Sequence, residues 1–238
     1  MPVAGQNFGK PKAAPEPATG RWALFRRRLV LLPTWRGWLI LLFLLLFSGW
    51  AAVQWVHPFL APNQPLRGDA LVIEGWAPDY ALAAAAEEFK RGAYQRLYVT
   101  GGPINAGAPL ASYRTYAELG AAVLLKSGLS TNSLQAVPAP PVQQDRTYTA
   151  AVALKRWLRE HGAMPRSINL ISVGPHGRRS WLLFRNVFGS ESQIGITSIT
   201  DEDYDPQKWW RSSYGVRGVL DEWIAYVYAR FFFHPPPA

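Results

Sequence analysis

The stretch from residue 168 to residue 180 reads INLISVGPHGRRS and contains a junction between two kinds of local sequence pattern. Residues 168–173 form a short, apolar and β-branched run, which is typical of an interior strand in a parallel sheet. A glycine and a proline interrupt this run, and apolar residues return at helical spacing over residues 181–188. The stretch therefore predicts a buried strand that gives way to a helix at the turn around His176.

Short apolar runs alternate with amphipathic runs from Ala70 onward. Alternation of this kind predicts an α/β domain with a parallel sheet of about five strands covered by helices. The predicted strands are Ala70–Ile73, Leu97–Thr100, Leu134–Val137, Ile168–Val173 and Ile194–Ile199. The predicted helices are Tyr80–Arg91, Leu110–Lys126, Tyr148–His161, Arg178–Phe188 and Val216–Phe233.

The last predicted helix has an apolar stripe that includes Val219, Ile224, Val227 and Phe231. Charged residues interrupt its other faces, so the helix is amphipathic and does not span a membrane. The sequence leaves two interpretations open for the stripe. It either packs against the sheet or lies on a membrane surface.

A second apolar segment, at Trp38–Val56, contains a run from Leu39 to Phe47 without a charged residue. At helical rise the segment is just long enough to cross about 30 Å of hydrocarbon, and tryptophans stand at both ends. A cleaved signal peptide is the alternative, but its apolar core is usually shorter, and Pro62 spoils the nearest small-residue cleavage site. We therefore predict an uncleaved transmembrane helix.

Basic residues are concentrated ahead of this apolar segment. The net charge is +9, and seven lysines and arginines precede residue 38 against one acid, Glu16. This asymmetry predicts a cytoplasmic N-terminus and a main domain on the opposite side of the membrane. Because topology explains the basic excess and no basic stripe with interleaved aromatic residues follows, nucleic-acid binding is disfavoured. The absence of cysteine excludes disulfides, thiol catalysis and thiolate metal sites.

These patterns divide the chain into five segments. Residues 1–37 are expected to form a basic, disordered cytoplasmic leader, because the first twenty are rich in proline, alanine and glycine. Residues 38–56 form the transmembrane helix, and residues 57–68 form a linker. Residues 69–234 form the α/β domain, and residues 235–238 are a frayed tail.

Polar residues and glycines follow four of the predicted strands. In an open parallel sheet, ligands bind beyond the carboxyl ends of the strands, so these segments supply the candidate site. The candidates are Glu74 after the first strand, Gly101 and Gly102 after the second, Asp145, Arg146 and Thr147 after the third, and His176, Arg178 and Arg179 after the fourth.

The turn around His176 has the chemistry of an anion site. A helix N-terminus offers free N–H groups and a partial positive charge, to which Arg178 and Arg179 add their own charges. His176 is also a candidate acid that protonates a leaving oxygen. The alternative is that the arginines are solvated and that His176 merely caps the turn.

The remaining candidates also have two interpretations each. The pair Gly101–Gly102 lets backbone N–H groups approach a phosphate, but a tight turn needs the same residues. Asp145 is either a ligand-binding residue or the N-cap of the helix that follows it. Glu74 is a candidate base or divalent-ion ligand, although no spaced ligand cluster indicates a metal site. A Walker lysine and a complete GxGxxG are absent, which disfavours nucleotide binding and leaves any cofactor undetermined.

Three of these motifs, taken in order, resemble the SanA/ElyC/YdcF family of bacterial envelope domains over about residues 69–189. They are the double glycine after a strand, the helix start at Thr147 with an acid before it, and the pair His176-x-x-Arg179. The resemblance implies a Rossmann-like, three-layer α/β domain in the periplasm, behind a single anchor in the bacterial inner membrane. It also implies a role in cell-envelope and peptidoglycan maintenance, in which a polyprenyl phosphate lipid carrier is involved.

The chain departs from the family pattern at two positions. The family's first strand usually ends in a glycine-rich turn, whereas here Glu74 precedes a single glycine and Trp76. The family's acid in the helix after the double glycine is also displaced, with Glu118 as the nearest candidate. A ligand that differs from that of other members is therefore compatible with the sequence.

The sequence thus predicts an anchored envelope protein that binds, or also processes, a phosphate- or pyrophosphate-bearing intermediate such as a polyprenyl-linked precursor. Whether the protein is an enzyme stays open. The alternative is a non-catalytic assembly or protein-binding factor, for which the aromatic last helix would supply contact area. A concave pocket lined by His176, Arg146 and Gly102 favours the small ligand, whereas a flat rim favours a protein partner.

Overall fold

The computed structural model describes residues 32–104 and 112–235. The helices are α1 (Trp35–Leu60), α2 (Asp79–Arg91), α3 (Tyr116–Lys126), α4 (Arg146–Glu160), α5 (His176–Phe188) and α6 (Ser213–Phe231), with a 3-10 helix at Pro206–Arg211. The strands are β1 (Asn63–Gln64), β2 (Ala70–Glu74), β3 (Arg96–Gly101), β4 (Leu134–Pro138), β5 (Ser167–Val173) and β6 (Gln193–Ile199). The chain divides into two units after residue 45, and the sheet belongs to the second.

The six strands form one sheet in the order β1-β6-β5-β2-β3-β4. The pairs among β2 to β6 are all parallel, as the alternating sequence pattern predicts, and the α/β class is confirmed. The prediction of a purely parallel sheet is wrong at one edge, where Asn63 and Gln64 pair antiparallel with β6. This two-residue strand covers an edge whose backbone groups would otherwise be free to pair with another chain.

Side chains of the central strands alternate between two apolar layers, because successive residues of a strand point to opposite faces. Leu71 and Ile73 pack in one layer with residues of α2 and α3. Val72 and Leu170 pack in the other layer, where α5 contributes the fully buried Phe184. Helices thus cover both faces of the sheet.

The predicted helix at Leu110–Lys126 begins later in the structure, at Tyr116, and residues 110 and 111 of that prediction lie outside the described residues. A capping box sets this start. The Glu118 amide donates to the Thr115 side chain at 3.2 Å, and the Thr115 amide donates to the Glu118 carboxylate at 3.0 Å. Glu118 therefore has a structural role at the helix start.

Helix α1 extends beyond the predicted span of residues 38–56 at both ends. Its mean hydropathy over an 18-residue window is 2.1, and the apolar side chains from Leu39 to Phe47 are exposed. Within the described residues, α1 is the one helix that is long and apolar enough to cross a membrane. The predicted leader lies outside the described residues up to residue 31, as does the tail from residue 236.

The predicted linker at residues 57–68 differs from the structure, because the last turn of α1 packs within the α/β domain. Leu60 is fully buried in a small cluster with Tyr204 and Val219. About two turns before Leu60, the carbonyl of Val53 accepts a hydrogen bond of 3.0 Å from the indole of Trp209. Burial of these apolar groups favours a continued helix over a free linker.

Helix α6 packs against the domain, but only part of the predicted stripe is buried. Its buried residues are Gly215, Val219 and Ala229, whereas Ile224 and Phe231 are 66% and 65% exposed. A Cβ atom on Gly215 would lie 2.5 Å from the carbonyl oxygen of Trp209. So close an approach selects small residues for the inner face and leaves the large apolar side chains outside.

Candidate functional site

A cavity of about 800 Å³ opens beyond the carboxyl ends of the central strands. Its lining includes eight of the nine predicted site residues, namely Glu74, Gly101, Gly102, Asp145, Arg146, Thr147, His176 and Arg179. The ninth, Arg178, is not part of the lining. The position agrees with the general rule that ligands of open α/β sheets bind at this edge.

Four charged side chains, which we call the ion cluster, meet beside this cavity: Glu74, His176, Arg179 and Glu222. His176 bridges the two carboxylates, with Nε2 3.2 Å from Oε2 of Glu74 and Nδ1 2.8 Å from Oε1 of Glu222. Arg179 donates from Nε and Nη2 to the two oxygens of Glu222, at 2.8 and 2.9 Å. The side chains of Glu74 and His176 are only 5% and 12% exposed.

The two basic members reach the cluster because His176 and Arg179 are three residues apart on α5. Residues at this spacing share one face of a helix. Glu74 meets them as the last residue of β2, which lies between β3 and β5. Ser180 adds a hydrogen bond of 3.2 Å to the Glu74 carboxylate, and the Trp76 ring lies edge-on to His176.

Mutual stabilisation keeps all four members charged near neutral pH. Burial by itself would lower the pKa of His176, but the charges of Glu74 and Glu222 and their hydrogen bonds outweigh it and raise the pKa to about 9. Burial would likewise raise the pKa of Glu222, but hydrogen bonds from Arg179 and His176 outweigh it and hold the pKa at about 2. The pKa of Glu74 is lowered in the same way, chiefly by His176 against the effect of burial.

Glu222 is the member of the ion cluster that is not among the residues predicted from the sequence. It lies three residues after Val219 and seven before Ala229, on the buried face of α6. The sequence signal for Glu222 is its helical spacing from Val219, a β-branched residue, and from Ala229, a small one. The predicted stripe shares Val219 with this face, but its large members Ile224 and Phe231 are exposed, so the stripe does not indicate Glu222.

The two adjacent glycines have different roles. A Cβ atom on Gly101 would lie 2.8 Å from Cβ of Tyr116, so this glycine permits the close packing of α3 on β3. At Gly102 the nearest atom to an added Cβ would be the carbonyl oxygen of Pro140, at 3.9 Å. The backbone at Gly102 is thus open to the cavity, whereas Gly101 serves packing.

The capping alternative for Asp145 is wrong. Its side chain makes no capping hydrogen bond to α4, and its backbone is left-handed, with φ 58° and ψ 35°. Asp145 and Arg146 both line the cavity, and Arg146 is exposed. Neither Asp145 nor Pro175, the N-cap residues of α4 and α5, supplies a capping side chain to the helix that it precedes, although the Gly177 amide of α5 donates to the carbonyl of Gly174 at 3.2 Å.

Arg178 does not belong with the other candidates. Its Nε donates a hydrogen bond of 2.6 Å to the carbonyl of Phe59, and its guanidinium lies 4.3 Å from the centre of the Phe59 ring. Consecutive helical residues are about 100° apart, so Arg178 cannot share the face of its neighbour Arg179. The predicted phosphate-binding role of Arg178 therefore needs correction, because this residue holds the end of α1.

Two buried hydroxyl groups flank Glu74 across the sheet. Thr100 pairs with Glu74 in register, and Ser172 follows Ile171, the partner of Ile73. Neither hydroxyl has a hydrogen-bonding partner within the part of the chain that the structure describes. Glu74 thus lies in a short polar row at the end of an otherwise apolar sheet face.

Both ring nitrogens of His176 face carboxylates, which is the cause of its raised pKa. The predicted role of His176 as a proton donor to a ligand stays a prediction. The uncapped helix starts and Arg146 offer further positive potential at the same cavity.

Comparison of the chain with models of protein families and with curated proteins finds no match. The resemblance to the SanA/ElyC/YdcF family therefore stays a prediction from the motifs.

Proposed function

We propose that the protein binds a phosphate- or pyrophosphate-bearing ligand in the cavity beyond the sheet. The observation that carries this proposal is the convergence of cationic and N–H groups on one cavity. Arg146, the open backbone at Gly102 and the uncapped first turns of α4 and α5 all reach it. Each of these groups is a typical donor to phosphate oxygens.

The size and lining of the cavity support a ligand that also has an apolar part. About 800 Å³ lies within the range of sites for organic ligands and exceeds what a lone phosphate fills. Pro141, Val142, Leu183, Tyr228 and Phe233 line it in addition to the polar groups. A polyprenyl-phosphate-linked envelope precursor combines these two properties, and we propose it as the ligand class.

Substitution of Arg146 tests this proposal. We expect Arg146→Ala to weaken binding of farnesyl phosphate to the full-length protein in detergent by about tenfold, because one charge-assisted contact is lost. Thermal stability should not change, since Arg146 is exposed. Isothermal titration calorimetry measures the affinity.

Arg156→Ala is the matched control, because Arg156 is exposed on the same helix and is not part of the cavity lining. The control should bind as the unmodified protein does. Absence of binding to farnesyl phosphate and to inorganic pyrophosphate by the unmodified protein would contradict the proposed function.

We also propose that the domain lies in the periplasm, anchored by α1 in the inner membrane with the N-terminus inside. An alkaline phosphatase reporter fused after Ala238 is expected to be active, because Arg26, Arg27, Arg28 and Arg36 flank the apolar run on one side. Neutralising these arginines and adding lysines near residue 63 should reduce or invert the signal. An inactive reporter on the unmodified sequence would move the ligand search to cytoplasmic phosphorylated compounds.

A protein-binding assembly factor is the second candidate function. The exposed apolar side chains on the outer face of α6 favour it, among them Leu220, Ile224 and Phe231. The small-ligand proposal has the stronger support, because His176, Arg146 and Gly102 line one concave cavity rather than a flat rim.

A further inference from the structure

The guanidinium of Arg179 and Nδ1 of His176 together form what we call the anion seat. Two guanidinium nitrogens meet two carboxylate oxygens of Glu222 at 2.8 and 2.9 Å, and Nδ1 adds a third contact at 2.8 Å. A planar fork of this kind recognises carboxylate and phosphate oxygens with the same geometry. The seat is therefore built for an oxyanion, and an internal side chain fills it.

The seat and its occupant come from different parts of the fold. His176 and Arg179 both stand on the first turn of α5, which packs directly against β5 and β6. Glu222 stands on α6, where only three of 19 residues are buried, against seven of 15 on α4. An element with so little buried surface moves away from its neighbours more readily than the sheet does.

The anion seat is also accessible from the cavity. His176 and Arg179 line the cavity, and so does Ala225, which lies one turn after Glu222 on α6. An anionic group that enters beside Arg146 therefore needs no new channel to reach the guanidinium. The two carboxylates and the two cations of the cluster balance in charge, so an anion that replaces Glu222 keeps both cations paired, a carboxylate with the same charge and a phosphate with a more negative one.

We propose that Glu222 is an internal competitor that occupies the anion seat, and that the terminal phosphate or carboxylate of a ligand replaces it there. This inference rests on the proposed function for the identity of the natural ligand. The exchange at the seat can be tested with small anions alone. Binding then couples the cavity to α6, because a displaced Glu222 removes the charged contact of that helix with α5.

The experiment compares Glu222→Ala and Glu222→Gln with the unmodified full-length protein in detergent. We expect both variants to bind inorganic pyrophosphate at least about tenfold more tightly, because no internal carboxylate competes for the seat. Millimolar formate or phosphate should raise the thermal midpoint of Glu222→Ala more than that of the unmodified protein. If the alanine variant does not fold, the glutamine variant, which keeps the side-chain size, gives the affinity measurement.

Glu118→Ala is the control, since it removes a capping carboxylate without leaving a buried cation unpaired. Its thermal midpoint should fall without a gain in response to formate. Equal or weaker pyrophosphate binding by the Glu222 variants would overturn the inference. Glu222 would then orient His176 and Arg179 rather than compete with a ligand. If formate or phosphate stabilises Glu222→Ala but the unmodified protein does not bind farnesyl phosphate, the inference about the anion seat stands. The proposed function would then be wrong.

Discussion

Replacing Arg179 by alanine is expected to lower the free energy of unfolding by about 3–5 kcal/mol at pH 7. The substitution leaves Glu222 without its paired hydrogen bonds, and His176 alone then faces two largely buried carboxylates. Breaking a buried ion pair by removing one partner is costly, because the remaining charge stays out of water. Urea unfolding of the detergent-solubilised chain, followed by tryptophan fluorescence, measures the effect.

The neighbouring substitution Arg178→Ala provides the control. It removes one hydrogen bond to the carbonyl of Phe59 and a cation–π contact, so we expect a loss of only about 1 kcal/mol. Arg179→Lys should recover part of the loss, since it restores the charge but not the two-pronged contact. Similar losses for the two alanine variants would mean that the ion cluster does not contribute the stability that its geometry implies.

Alkaline pH is expected to destabilise the fold by about 3 kcal/mol between pH 6.5 and pH 9, through His176. The pKa of this histidine rises from 6.5 to about 9 on folding. A group with a raised pKa contributes stability that is fully present below its unfolded pKa. That stability is lost as the pH rises through the folded value. Urea unfolding at a series of pH values measures the decline.

In His176→Gln this part of the pH dependence should disappear. Glu222 acts in the opposite direction, because its pKa falls from 4.5 to about 2 on folding. Its contribution is present above pH 4.5 and is lost as the pH falls towards 2. A histidine variant with an unchanged decline above pH 6.5 would show that another group is responsible.

The sheet was predictable from the sequence because its strands are buried on both faces. Interior parallel strands are rich in apolar residues, and Ile168–Val173 has four of them in six positions. The edge strand at Asn63–Gln64 has no such signal, since two polar residues are too few to show a period. Tertiary pairing with β6 creates that strand, so local sequence does not reveal it.

The residues of the candidate site also fall into two groups, those that local sequence predicts and those whose place depends on tertiary packing. Residues that follow strands, such as Glu74 and His176, were predictable because parallel topology brings strand ends to one edge. Glu222 was not, because its place depends on how α6 packs, and close packing favours glycine over large apolar residues. The separate directions of Arg178 and Arg179 follow from the 100° between consecutive helical residues, but the contact of Arg178 with Phe59 depends on where the end of α1 packs, which local sequence does not reveal.

The C-terminal end of α1 is part of the α/β domain rather than a tether to it. A flexible linker of twelve residues, as predicted for residues 57–68, has an average end-to-end distance of roughly 20 Å. Here Leu60 and the residues that contact Val53 belong to the core of the domain. The segment from Val53 to Leu60 is therefore a structural part of the domain, and a substitution such as Leu60→Ala should destabilise the domain itself rather than only its attachment.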